Sequence, residues 1–170
     1  MTTRVGVPVQ SSAEPSAPDP GRLTLIWFSH LRGKFAFQRR QDIMCRFART
    51  MTVVYWEEPI EVGKHETAFL QVREADDADN VRIVVPHLPG GLDEERREAM
   101  LKRVLDAYTA GLTHPLTAWY YTPMMLPFSR GIDADAIVYD CMDELSKFRF
   151  APAQLLELEQ ELIGRADLIF

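Results

Sequence analysis

Leu23-Thr24-Leu25-Ile26-Trp27-Phe28 is a six-residue run with one polar member, followed at once by Ser29-His30-Leu31-Arg32-Gly33. A nearly unbroken apolar run of this length reads as a strand covered on both faces, and such strands belong to parallel sheets flanked by helices. The chain downstream supplies both. Gln38–Arg49 places Ile43, Met44, Phe47 and Ala48 at helical spacing, and Thr52–Trp56 (TVVYW) is a second strand. Thr67–Arg73 and Val81–Pro86 flank the polar turn Ala75–Asn80 and predict a hairpin or edge excursion. Pro89-Gly90-Gly91 breaks the chain. Asp93 then caps a helix over Glu94–Thr109, with Met100, Leu101, Val104, Leu105 and Tyr108 on one face and Gly111 at its stop.

Thr117–Tyr121 (TAWYY) is a further strand, Met124–Phe128 one helical turn, and Ala136–Tyr139 (AIVY) a strand again. Pro152 suits the first turn of a helix reaching about Ala166, with Leu155, Leu158, Leu162 and Ala166 inward. Asp167–Phe170 begins another buried strand. The alternation predicts an α/β fold with a Rossmann-like, doubly wound, mostly parallel sheet.

Outside these elements, residues 1–22 read as a disordered tail. Val9–Gly21 (VQSSAEPSAPDPG) is rich in Ser, Pro and Ala and has no periodicity. The lobe is therefore expected over 23–170. A parallel strand that ends without a following loop predicts that these 170 residues are part of a longer protein, cut soon after a strand begins. The apolar fraction of 46% and charged fraction of 26% suit a globular domain and exclude collagen-like and low-complexity chains. No run approaches the length of a membrane span, and the N-terminus lacks the apolar core of a secretory signal. Cys45 and Cys141 are too few and too far apart for a disulfide framework or a CxxC site, which points to a reducing, cytoplasmic setting. The net charge of −6 argues against a nucleic-acid partner.

The mean charge hides an asymmetry. Ser29–Arg49 holds six basic residues (Arg32, Lys34, Arg39, Arg40, Arg46, Arg49) against Asp42, or +5, which leaves −11 for the rest. In open α/β sheets ligands sit beyond the carboxyl ends of the strands. A basic loop that leads into a helix N-terminus there is suited to phosphate or diphosphate, with His30 and Arg32 the leading residues. A solvated basic helix face is the plainer account, and Arg46 and Arg49 fit it. Neither GxxxxGK[ST] nor GxGxxG is present. After TVVYW, Glu57-Glu58-Pro59 has adjacent acids that point different ways, and a solvated turn is favoured. Tyr120 and Tyr121 read as core or rim aromatics. The apolar residues of Met124–Phe128 either pack a short helix or form an apolar rim that promotes self-association.

Asp140-Cys141-Met142-Asp143-Glu144 puts three carboxylates within five residues of a strand end. Such groups accept sugar hydroxyls, act as a general base or bind Mg²⁺, and they also cap helices. No partner set for a metal is visible, and His30, His65, His87 and His114 lack zinc spacing, so no bound metal is expected. There is no GxSxG elbow.

Six phrases in one order carry a family resemblance: Phe28-Ser29-His30-Leu31-Arg32, Phe37-Gln38-Arg39-Arg40-Gln41, Glu57-Glu58-Pro59, Val85-Pro86-His87-Leu88-Pro89, Trp119-Tyr120-Tyr121-Thr122-Pro123 and Val138-Tyr139-Asp140-Cys141-Met142-Asp143-Glu144-Leu145. Over residues 23–170 the chain resembles the N-terminal half of GT-B, family 4-like bacterial glycosyltransferases, among them teichuronic-acid and other cell-surface polysaccharide transferases. The family's first loop reads FSHLRWDFVYQRPQ. Here Gly33 and Lys34 stand at its Trp-Asp and Arg40 at its Pro, an aromatic lost and a charge reversed on the acceptor side.

The resemblance implies one lobe of a two-lobed enzyme that moves a sugar from a nucleotide-sugar co-substrate to a glycan or lipid-linked acceptor, with no bound cofactor. The isolated lobe is expected to be inactive without its C-terminal partner lobe. His30 and Arg32 would face the donor diphosphate, with Lys34, Gln38, Arg39, Tyr121 and Glu144 also binding substrate. Asp140 and Asp143 would orient or deprotonate an acceptor hydroxyl. Peripheral contact with the inner face of the membrane, through the basic helix, is a further expectation. Two other readings fit the same fold: a non-catalytic binding domain that uses the basic loop, and an Mg²⁺-dependent phosphotransfer or phosphohydrolase domain that uses Asp140, Asp143 and Glu144.

Overall fold

The central strand is β2, Leu23–Phe28, the run that decided the sequence reading. The computed structural model describes residues 8–11, 22–29, 43–76, 78–141 and 153–170. Along β2 the side chains alternate: Leu25 and Trp27 join one core layer, Ile26 and Phe28 the other. All four are buried, because helices cover both faces.

Two parallel neighbours flank it, β3 (Met51–Trp56) and β7 (Leu116–Tyr120). Beyond β3 lie β6 (Ala78–Pro89), then β5 (Phe69–Ala75), then β1 (Val9–Ser11). Beyond β7 lie β8 (Ala136–Tyr139) and β9 (Leu168–Ile169). A short β4, Ile60–Val62, continues the edge of β3 by pairing with His87–Pro89 of β6. The order of the nine-stranded sheet is β1-β5-β6-β3-β2-β7-β8-β9 with β4 beside β6, and only the β5–β6 pair is antiparallel.

The chain winds outward from β2 through β3 to β6, then returns across β2 to β7 and winds the other way. Right-handed crossovers on both sides require helices on opposite faces. The described part of α1, residues 43–47, supplies Met44 to the layer with Trp27, and Ala48 follows it there. Helices α2 (Glu94–Thr109), α3 (Leu126–Ser129) and α4 (Leu155–Arg165) cover the other face. The α2 start follows the sequence reading, since Asp93 Oδ1 accepts the Arg96 N–H at 2.8 Å. The break before it also follows, because Gly91 has φ of 80°, where a Cβ is strained.

The structure differs from the sequence pattern at four places. Val9–Ser11, inside the expected tail, forms β1: the outer edge of β5 offers unpaired backbone groups, and these recruit a strand whatever its side chains. β4 had no sequence forecast. The strand expected to be buried over Asp167–Phe170 is an exposed edge, with Leu168 at 49% and Phe170 at 62% exposure, because no described element packs over β9. The segment Met124–Phe128 does not leave an open apolar face. Met125, Leu126 and Phe128 are buried in the α2–α4 layer, and only Met124 and Pro127 keep partial exposure. Exposed apolar side chains lie instead on α4 (Leu156, Ile163), on and after β9 (Leu168, Ile169, Phe170), and at Val9 and Leu23.

Candidate functional site

The winding direction reverses between β2 and β7, so their carboxyl ends border the crevice where an open α/β sheet binds its ligands. Each strand exit is held one residue beyond its ladder. Ser29 N–H donates to Trp56 O, Glu57 N–H to Val84 O, Tyr121 N–H to Phe28 O and Asp140 N–H to Tyr120 O, all at 2.9–3.1 Å. The first residues of four loops therefore sit at fixed positions along one edge.

Of the residues expected to act there, His30, Arg32, Lys34, Gln38 and Arg39 lie outside the described residues, as do Asp143 and Glu144. Asp140 is half-buried directly after β8. Tyr121 is buried, and its ring stacks on Trp27 at 5.0 Å, in the α1 layer. Trp119 also stacks on Trp27, at 5.1 Å, and Phe170 rests on Trp119 at 5.6 Å. The Tyr121 ring is thus part of the packing that fixes the β2 and β7 ends.

On the opposite face the β7 exit is anchored closely. Thr122 Oγ1 accepts the Met124 N–H and starts the 3-10 turn Pro123–Met125, which runs into α3. Beneath it, Ser129 Oγ donates to Met125 O at 2.7 Å and pairs with the Tyr120 hydroxyl at 2.8 Å. Burial pushes the Tyr120 hydroxyl up to about 12, so this buried contact stays neutral. Phe128 packs edge-on to Phe28 and close to Trp56. At the end of α3, Arg130 donates through Nε and Nη2 to the Glu161 carboxylate of α4.

These anchors leave a cavity of about 230 Å³. Its floor is apolar, formed by Leu101 of α2 with Met125 and Phe128. Its rim carries Glu58 from the β3 exit, Glu94, Arg97 and Glu98 from the first turns of α2, and Gln154 at the entry to α4. Every one of these segments leaves, or starts a helix after, the carboxyl end of a strand. Neither Asp140 nor Tyr121 lines this cavity.

Glu58 was expected in a solvated turn, yet it is half-buried and lines the cavity, while its neighbour Glu57 is buried. The remaining rim residues carried no sequence signal, because they converge from positions up to 60 residues apart and meet only through the sheet order. Among the described residues no group of His, Cys, Asp and Glu is arranged to hold a metal ion. None of the described helices is long and apolar enough to cross a membrane.

No family model matches the chain, and no curated protein matches it in sequence. Among solved structures it is similar to the E. coli trehalose-6-phosphate enzyme bound with UDP-2-fluoro glucose, a GT-B glycosyltransferase, with a TM-score of 0.53 at 12% identity. The match covers 86% of this chain and 39% of that one, so the chain spans well under half the length of its structural neighbour. The likeness is one of fold: a mostly parallel, nine-stranded sheet flanked by helices, as in a Rossmann-like lobe of the GT-B architecture.

Proposed function

We propose that the chain is the acceptor-binding lobe of a glycosyltransferase, acting with a second lobe to move a sugar from a nucleotide-sugar donor to a glycan or lipid-linked acceptor. The observation that carries the reading is the cavity at the carboxyl edge of the sheet, walled by the β3 and β7 exits and by α2, on a fold shared with a GT-B enzyme. The neighbour is described with a UDP-sugar analogue bound, which supports a nucleotide-sugar as donor. The ordered phrases from Phe28 to Leu145 support a family 4-like enzyme of cell-surface polysaccharide synthesis.

In this reading His30 and Arg32 meet the donor diphosphate, with Lys34, Gln38 and Arg39 adding to the same basic segment. Arg gives planar, paired hydrogen bonds to phosphate oxygens, and these stabilise the charge that develops on the leaving diphosphate. Asp140 and Asp143 orient or deprotonate the acceptor hydroxyl, and Glu144 completes the contacts to substrate, while Tyr121, expected among them, is taken up by the core packing on Trp27. The reaction would run without a bound metal, on the cytoplasmic side, with peripheral membrane contact through the basic segment.

Calorimetric titration of the full-length, two-lobed enzyme with UDP tests the donor side. Arg32→Ala is expected to weaken binding about tenfold, the loss of one charge-assisted pair. Unchanged affinity would remove Arg32 from the diphosphate site.

A further inference from the structure

We propose that the cavity between α2 and the β3 and β7 exits is an acceptor subsite for a sugar unit without negative charge, held best when that unit bears a protonated amine. This rests on the acceptor-lobe reading and adds the charge of the substrate to it. The floor of Leu101, Met125 and Phe128 suits the C–H face of a sugar ring. The cavity volume of about 230 Å³ is below the roughly 300–1,000 Å³ typical of drug-sized sites and fits a single ring.

The rim decides the charge. Glu58, Glu94 and Glu98 place three carboxylates on it, against one cation among the described lining residues, Arg97. Arg97 donates through Nη1 to Glu61 at 3.2 Å, so its charge is already matched by an acid that does not line the cavity. The N-terminus of α2 offers little to an anion either. Asp93 accepts the Arg96 N–H, and Glu94 and Glu95 occupy the first turn, so the positive end of the helix is already faced by acids. A phosphate or carboxylate entering here meets like charge in a partly desolvated space. A hydroxyl donates to the carboxylates, and an ammonium both donates and pairs with them.

The test follows the methionine methyl resonances of the 170-residue chain during titration with glucosamine, methyl glucoside or glucose 6-phosphate. Met124 and Met125, both on the cavity wall, are the reporters. Their resonances are expected to move with glucosamine, to move with methyl glucoside at higher concentration, and to stay in place with glucose 6-phosphate. Glu98→Gln is expected to weaken glucosamine binding about threefold, the scale of a part-exposed charge pair, while methyl glucoside binding stays nearly the same. Glu58→Gln repeats the test on a separate wall.

An equal response to glucose 6-phosphate and glucosamine would overturn the charge preference and leave the acceptor-lobe reading intact. Silence toward all three sugars would overturn the subsite itself. The UDP titration tests the donor side of the transferase reading and is read independently of both results.

Discussion

β2 and β7 run side by side to the same edge of the sheet, yet the segments that follow them carry opposite chemistry. After β2 the sequence turns basic, with +5 over Ser29–Arg49. After β7 the chain turns apolar and is pinned down by a Thr122 cap, the buried Tyr120–Ser129 contact and the Phe128 ring, beside a cavity rimmed with Glu58, Glu94 and Glu98. A single binding surface for one charged ligand would not divide its charges this way. A transferase that places an anionic donor and a polyhydroxyl acceptor at one edge would. The difference also separates two kinds of residue: those at the β7 exit hold a shape, and those after β2 supply charge.

The largest expected effect comes from breaking the shape. Phe128 is 4% exposed and packs on Phe28 and Trp56, so Phe128→Ala removes a core ring and the cavity floor together. Its cost is expected to be about 3–5 kcal/mol, read as a lower urea midpoint. A small loss would mean that α3 is not anchored through the core.

A smaller effect sharpens the same anchor from outside. The Arg130 guanidinium beside Glu161 holds that carboxyl below the usual carboxylate range, with Arg165 adding to it. A lowered value in the folded state means that this contribution is present above the unfolded carboxylate range and is lost as pH falls through the folded value. The pair is partly open to solvent, so Glu161→Gln is expected to cost less than about 1 kcal/mol at neutral pH. Its cost should shrink as pH falls below the usual carboxylate range. Urea midpoints of the variant and the parent chain at neutral pH and in acid check this, and a gap that persists undiminished in acid would contradict the assignment.

Much of the framework was legible in the sequence because it rests on local signals. Leu23–Phe28 and Ala136–Tyr139 match their strands residue for residue, since each apolar run is bounded by polar residues. Asp93 marked the start of α2 because its carboxylate caps the first turn, accepting the Arg96 N–H. The misses share a different origin. β1 and β4 form because existing edges recruit backbone, which leaves no trace in side-chain pattern. The last strand carries the apolar residues of a buried one, yet it lies exposed at the sheet edge.

The candidate site divides the same way. The basic segment could be read as charge along the chain. The cavity joins Glu58, Glu98, Met124 and Gln154 only after the sheet has brought four exits together. Glu58 shows the limit well: in sequence it is half of an acidic turn, and in the fold it is one wall of a binding space.

In the proposed transferase, donor and acceptor chemistry are held apart along this edge. Magnetic resonance of the full-length, two-lobed enzyme titrated with UDP tests this separation most directly, with the amides of Ser29–Arg49 and the methyls of Met124 and Met125 followed in one experiment. Shifts are expected throughout the basic segment and none at the two methionines. Shifts at Met124 and Met125 without any in Ser29–Arg49 would contradict that separation.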